Sequence, residues 1–406
     1  MLKIERVSKD LGDFVLADVS LEVGSGEYLV IIGPTGSGKT VLLEAVAGIS
    51  SPDAGRIILD GRDITEEAPR RRRISMVYQD YMLFPHLSVK ENIAFGLRSQ
   101  KASPAEIEEK VAAVSDLLGI SHLSGRRPDT LSGGEKQRVA MARAIVMEPK
   151  VLLLDEPLSA LDGATRERLR RELKRIHRAY GTTIIHVTHN FEEVFSLADR
   201  VAVMNGGGIV QVGTPEEVFR RPNSEMIASF VGVENVFKGV ASEKGGLIEI
   251  EVDGLKIVSA TEDLDGDEIE DGRDYKMEGQ NGREVFASVR AEDILISKAP
   301  LKSSARNSFS GKVEEIANGG MMVKIWVDAG IPFMAMLTRR GCQEMELAEG
   351  DHVYLTFKAT AVHVFRGAGV GGEESCLGFR DRADVVGAGG GSRPRRPDFL
   401  FVIIFY

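Results

Sequence analysis

The chain has 406 residues, 43% of them hydrophobic and 28% charged, with a formal net charge of −10. That length exceeds one ordinary core and predicts two or three domains in a soluble globular protein, while the acidic balance argues against a protein that coats nucleic acid, so no nucleic-acid partner is expected. Cys342 and Cys376 are the only cysteines and lie far apart without metal-like spacing, which predicts a reducing cytoplasm, no disulfide framework and no zinc site.

Residues 1–10 (MLKIERVSKD) alternate charged and apolar side chains, as an edge strand does and a signal peptide does not. Short alternating runs continue to residue 32, broken at Gly12–Asp13 and Gly24–Ser25–Gly26, and predict antiparallel strands leading into a buried strand at 28–32 (YLVII). The next stretch, 33–40 (GPTGSGKT), matches G-x-x-x-x-G-K-[ST] and opens an apolar helix at 40–47. Strand, glycine-rich loop and helix in that order turn successive N–H groups and the positive end of a helix dipole towards one point, where a polyphosphate can sit. Gly33, Pro34, Thr35, Gly36, Ser37, Gly38, Lys39, Thr40 and Val41 are therefore candidate ATP-binding residues. Lys39 is expected on the β- and γ-phosphates and the Thr40 hydroxyl on Mg²⁺.

Strands are predicted at 55–59 and 74–78 on either side of the basic run 70–73, which reads as a solvated loop face. From 79 to 100 the pattern turns to short helical pieces, broken at Pro85–His86 and capped at Ser88. Ser103–Pro104 opens a helix with Ile107, Val111, Val114 and Leu118 on one face, so a helical subdomain is expected between two halves of an α/β core. A helix over 131–146 starts after Ser132–Gly133–Gly134. The apolar run 151–154 (VLLL), expected beside the strand at 28–32, delivers Asp155 and Glu156 at its end. A charged helix over 161–180 stops at Gly181, and a buried strand at 182–188 ends at His189. A helix at 191–197, strands at 200–204 and 209–211, and a short helix at 215–219 bring the first domain to a close near Phe230.

From Gly232 onward helical periodicity disappears, and strands at 247–252, 284–290, 311–315, 322–327 and 352–357 predict an all-β, OB-like barrel. The domains expected are 1–231, 232–366 and a disordered tail at 367–406, with an acidic solvated loop at 262–274 inside the second. The apolar run 399–406 (FLFVIIFY) is too short for a membrane span, which needs roughly 20 residues.

Asp155 is placed to hold Mg²⁺ directly or through water, and Glu156, pointing elsewhere, to act as base or positioner for the attacking water. His189 is expected near the γ-phosphate, and Gln79, just past a strand end, can put its amide oxygen on Mg²⁺ or water. In 131–138 (LSGGEKQR), the Ser132 hydroxyl and the N–H groups of Gly133 and Gly134 make a second anion cradle. One nucleotide does not need two cradles from one subunit. A two-fold, head-to-tail pairing of two copies resolves this, each covering the nucleotide held by the other.

In that order, GPTGSGKT, Gln79, LSGGEKQR, VLLLDEP, SALD (159–162) and His189 resemble the ATP-binding subunits of ABC transporters across roughly residues 1–230. The resemblance implies an α/β P-loop NTPase, an ABC cassette with antiparallel β and helical subdomains, in which Ser132, Gly133, Gly134 and Asp162 act across a homodimer. It also implies that Gln79 and the following DYMLFPHLSV meet the coupling helix of an integral-membrane permease. The family stacks adenine on an aromatic side chain near the start; that position looks like Leu11 here, with Phe14 close by.

The stretches SSARNS (303–308), GKV (311–313) and KATAV (358–362) resemble the paired motifs of small molybdate-binding β-barrels, and VRAEDI (289–294) the barrel linker of related importers. Ser304, Arg306, the N–H groups around Ala305 and Asn307, and Lys358 would then surround a tetrahedral oxyanion; the alternative is a barrel that only dimerises, as in sugar and polyamine importers. The expectation is an ATP-hydrolysing importer subunit on the cytoplasmic face of the membrane. It would energise uptake of molybdate or tungstate delivered by an extracytoplasmic oxyanion-binding protein and be inhibited by that oxyanion. Subunits for sulfate, phosphate, sugar or polyamine, and a non-transport ABC ATPase, are the rivals.

Overall fold

In the computed structural model, residues 1–159, 161–260 and 282–366 are described; the acidic loop expected at 262–274 and the tail expected from 367 lie outside them. The first half runs β1 (Leu2–Asp10), β2 (Val15–Val23), β3 (Tyr28–Ile32), α1 (Lys39–Ala47), β4 (Ala54–Leu59), β5 (Arg62–Asp63), β6 (Ile74–Val77), α2 (Val89–Ser99), α3 (Pro104–Leu117), α4 (Gly133–Ile145), β7 (Val151–Asp155), α5 (Gly163–Tyr180), β8 (Thr183–Val187), α6 (Phe191–Leu197), β9 (Arg200–Asn205) and β10 (Gly208–Gly213). The second runs α7 (Pro215–Arg220), α8 (Glu225–Phe230), β11 (Asn235–Lys244), β12 (Leu247–Val252), β13 (Leu255–Ser259), β14 (Arg283–Val289), β15 (Leu295–Ser297), β16 (Asn307–Gly319), β17 (Met322–Asp328), β18 (Pro332–Thr338), α9 (Arg339–Glu344), β19 (His352–Phe357) and β20 (His363–Phe365). Two compact units divide between residues 215 and 216.

Two sheets build the first unit: one in the order β2-β1-β4-β5, the other β10-β9-β3-β8-β7-β6. In the six-stranded sheet all neighbours are parallel except β9 and β10. Strands β3, β7 and β8 are buried at all five positions, as continuous apolar runs covered on both faces must be. Two expectations need correction. β1 pairs with β2 and β4 and is an inner strand, its alternation reflecting one covered face. β8 lies between β3 and β7, so the strand carrying Asp155 is not beside the P-loop strand.

The inserted helices are fixed by their caps. Ser88 accepts from the Glu91 N–H while the Glu91 carboxylate accepts from the Ser88 N–H, a reciprocal capping box at α2, and Ser103 caps α3 ahead of Pro104.

The basic run 70–73 is not uniformly solvated. Arg72 is 2% exposed and donates to the carbonyls of Ala45 (2.8 Å), Val46 (3.0 Å), Thr65 (2.5 Å) and Glu67 (2.8 Å). It thereby satisfies carbonyls of the last turn of α1, where a cation also complements the helix dipole. Gly48 leaves room for it, since a Cβ there would fall 2.3 Å from Arg72 Nε. Arg72→Met strips a donor from four carbonyls, three of its bonds being buried or nearly so, and is expected to destabilise the first unit by about 3 kcal/mol, read as a lowered Tm.

The second unit contains two five-stranded antiparallel sheets, β13-β12-β11-β14-β20 and β15-β19-β16-β17-β18, packed on one core that includes Phe333, Phe357 and Ile325. Two buried asparagines pin the sheets together through backbone groups. Asn235 on β11 donates to Met334 O (2.8 Å) and accepts from Met334 N (2.6 Å) on β18. Asn307 on β16 likewise accepts from Val258 N (2.7 Å) and donates to Val258 O (2.9 Å) on β13.

Candidate functional site

Between β3 and α1 the chain must turn sharply, and glycine makes the turn possible at two positions. Gly33 has φ 155°, and a Cβ there would lie 2.0 Å from the Met204 carbonyl oxygen. Gly38, with φ 98°, is the N-cap of α1, and its Cβ would lie 2.5 Å from the Phe14 ring. Because the cap is glycine, no side chain caps α1, and the first-turn N–H groups stay available to an anion at the positive helix end. Lys39 Nζ donates to the carbonyls of Gly33 (2.9 Å) and Pro34 (2.8 Å) and lies 3.3 Å from Ser37 Oγ. Burial lowers its pKa, against the pull of Glu156 and Asp155. Thr35 and Gly36 are exposed on the loop, Ser37 is buried, and Val41 packs against the core below it.

Although β8 separates them, the ends of β7 and α1 meet. Thr40 Oγ1 donates to Asp155 Oδ2 at 2.9 Å. Burial pushes the Asp155 carboxyl up, opposed by the Thr40 hydroxyl. Glu156, the next residue, takes the left-handed conformation (φ 46°), which is strained for glutamate. Its N–H donates to Val187 O (2.9 Å), and its carbonyl accepts from Ser159 N (3.3 Å) and Oγ (2.9 Å). The side chain reaches the next strand's end: Glu156 Oε2 lies 3.2 Å from His189 Nδ1, whereas Thr40 bonds to Asp155. Two consecutive carboxylates thus serve two separate places.

The turn bearing His189 stands on a buried polar chain that the sequence reading did not single out. Tyr28 Oη lies 3.0 Å from His186 Nδ1, His186 Nε2 lies 3.4 Å from Glu193 Oε2, and Thr188 Oγ1 donates to Glu193 Oε2 (2.8 Å) while accepting from Asn190 N (3.1 Å). Burial pushes the Glu193 carboxyl up, but the bonds from His186 and Thr188 prevail and hold it below the usual range. Beside this chain is a cavity of about 360 Å³ lined by Ser159, Arg166, Thr188, His189 and Glu193 among others. Arg166 donates to Leu158 O (3.3 Å) and Leu161 O (2.8 Å), tying both residues to α5. Nothing in the sequence separates Arg166 from the other arginines of that charged helix.

Gln79 sits exposed just past β6, and its side chain forms no hydrogen bond among the described residues. Of the two adenine candidates, Leu11 is 49% exposed and its N–H bonds to Phe14 O (2.9 Å), whereas the half-buried Phe14 ring lies directly on Gly38.

Ser132 caps α4, accepting from Glu135 N, while the Glu135 carboxylate accepts from Ser132 N (2.7 Å) and Oγ (2.8 Å). Those bonds hold the Glu135 carboxyl below the usual range. Above Gly133 the space is open, and Gly134 faces Thr165. Asp162 caps α5 by accepting from Thr165 N (3.0 Å). Ser132, Gly133 and Asp162 are exposed and, with Gly134, make no hydrogen bond to residues 33–40 of the same chain.

In the second unit the Asn307 side chain is fully engaged with Val258, and Ala305 N donates to Ser303 Oγ at 3.2 Å. Asn307 is paired with Phe357 between β16 and β19, so Arg306 and Lys358 are the residues immediately beyond that pair, one on each strand. Both are exposed, as is Ser304, and neither cation has a carboxylate partner among the described residues.

Residues 16–159 match the ABC transporter family and residues 303–364 the TOBE domain family. The chain is 46% identical over 366 residues to the molybdate/tungstate import ATP-binding protein of Pyrococcus horikoshii, covering 90% of this chain and 100% of that one. It is 49% identical over 314 residues to the protein of the same description from Thermococcus kodakarensis, covering 77% and 88%. With the sulfate/thiosulfate import ATP-binding protein of Caulobacter vibrioides it shares 46% identity over 268 residues, covering 64% and 79%.

Proposed function

The chain belongs to the ATP-binding subunits of ABC importers, and from that premise we propose that it powers uptake of molybdate or tungstate through an integral-membrane permease, its all-β half sensing the same oxyanion. Lys39 exchanges the loop carbonyls for the β- and γ-phosphates, joined by the uncapped N–H groups of α1. Phe14 flanks the loop and offers adenine a ring face. The Thr40 hydroxyl, the Asp155 carboxylate and the Gln79 amide oxygen are hard oxygen donors of the kind Mg²⁺ takes. Bound there, the ion neutralises charge developing on the phosphates. Glu156, kept off the metal by its backbone twist, accepts the proton of the attacking water, and His189 orients Glu156 and reaches the γ-phosphate.

Ser132, Gly133 and Asp162 are exposed and, with the half-buried Gly134, make no hydrogen bond to their own P-loop, which supports their acting on the nucleotide of a second copy. Phosphate oxygens would take over the Ser132 donors now held by Glu135. No helix of the described residues is long and apolar enough to cross a membrane, so the anion path is assigned to the permease, with this subunit docked at its cytoplasmic face and a separate extracytoplasmic protein delivering the cargo.

The cargo assignment is carried by Arg306 and Lys358, two cations without carboxylate partners at one end of a strand pair, inside a stretch shared with a molybdate/tungstate relative along its whole length. The sulfate/thiosulfate relative makes sulfate the competing cargo. Calorimetry on the full chain decides: molybdate and tungstate should bind and sulfate should not, and equal binding of sulfate, or none of any, would contradict the assignment.

A further inference from the structure

The turn that carries Gln79 is held in a conformation it would not take alone. Tyr81 and Met82, consecutive and bulky, both have left-handed backbones, with φ 59° and 41°. Tyr81 N donates to Tyr78 O (3.0 Å), closing a turn whose two central residues are Gln79 and Asp80, and Met82 N donates to Asp80 O (2.6 Å). Beyond the turn, Phe84 is anchored by the Asn92 amide, which accepts from Phe84 N (2.8 Å) and donates to Phe84 O (3.1 Å), and by the Phe95 ring 4.5 Å away.

The strained pair itself is held from α4. Arg143 donates through Nη1 to Met82 O (2.8 Å) and through Nη2 to Tyr81 O (3.0 Å), with its guanidinium 5.2 Å from the centre of the Phe84 ring. No carboxylate pairs with it among the described residues, and burial lowers its pKa to about 10. A partly buried cation without a counter-ion is costly unless its N–H groups find acceptors, and here two carbonyls of the turn accept from it.

We propose that Arg143 is a positioning residue for ATP hydrolysis: it locks the 78–82 turn so that Gln79 has one place, and it links that place to α4, the helix that begins at Ser132–Gly133–Gly134. Gln79 makes no side-chain hydrogen bond among the described residues, so its place depends on the backbone of the turn. A shift of α4 therefore carries Tyr81 and Met82 with it and moves the Gln79 amide. The end of α4 that covers one nucleotide thus reports to the metal end of the other. This inference rests on the role proposed above for Gln79.

The test uses the full chain with Arg143→Lys, which keeps the charge but loses the two-pronged donor. Hydrogen exchange at residues 81–84 should quicken by about tenfold, and kcat for ATP should fall by about tenfold with KM within about twofold, since the P-loop is untouched. Gln79→Ala should lower kcat similarly, and the double variant should lose little more than either single. Adding Met82→Asn, a residue that tolerates the left-handed region, should restore part of kcat in the Arg143→Lys chain, which a general loss of fold would not allow. Unchanged exchange at 81–84 overturns the clamp. Slow single variants whose losses multiply overturn the link to Gln79 while leaving the role of Gln79 standing. If Gln79→Ala turns over like the parent, the reading of Gln79 itself fails and the link with it.

Discussion

Glu156→Gln is expected to reduce kcat for ATP by a factor on the order of 10²–10⁴ while leaving ATP affinity near that of the parent, as measured by steady-state phosphate release and equilibrium nucleotide binding. The substitution changes one oxygen to an amide and keeps the shape of the side chain. The bonds holding residue 156 in its left-handed conformation are made by its backbone N–H and carbonyl, to Val187 and Ser159, so they survive. The groups expected to bind ATP, Lys39, Thr40 and the first turn of α1, are not touched. What disappears is a carboxylate able to take a proton at the position fixed by its contact of 3.2 Å with His189. A variant that still turned over at the parental rate would move the proton acceptor elsewhere.

Arg306→Ala is expected to weaken molybdate binding by roughly 10- to 150-fold, the equivalent of losing a charged hydrogen bond of about 1.5–3 kcal/mol, and to abolish inhibition of the ATPase by molybdate. Basal ATP turnover should be unchanged, because Arg306 belongs to the second unit, whereas the P-loop, Asp155 and Glu156 belong to the first. Arg306 is the informative position among the candidate anion ligands. Asn307→Ala would also remove the bonds that join β16 to β13 through Val258, so its loss of binding could be a loss of packing. Retained affinity and retained inhibition in Arg306→Ala would favour a barrel that only dimerises.

Motifs whose chemistry is local were legible in the sequence. The P-loop, the cap serines at 88 and 103, and the apolar strands that lead to Asp155 and His189 depend on residues a few positions apart, and each emerges within a residue or two of where its spacing puts it. Order within the sheet was not legible. A parallel strand of five apolar residues looks alike wherever it lies, so nothing in VLLL says that β8 comes between it and the P-loop strand. Polar groups whose partners lie elsewhere in the chain were also hidden. Arg72 stands in a run of four arginines, and only the carbonyls that converge on it distinguish it from its solvated neighbours. The same holds for Arg143 and for the Tyr28–His186–Glu193 chain, whose partners are distant in sequence. Asn307 stands out in the sequence only for its place beside Arg306, whereas its side chain cross-links two sheets.

The account depends on two copies of the chain enclosing nucleotide between the P-loop of one and Ser132–Gly134 of the other. Sedimentation of Glu156→Gln protein tests it most directly, because blocked hydrolysis should trap the closed pair. With Mg²⁺ and ATP the mass should double, and Ser132→Arg in the same background should return it to that of one chain. A Glu156→Gln chain that binds ATP to saturation and still sediments as a single copy would contradict the account.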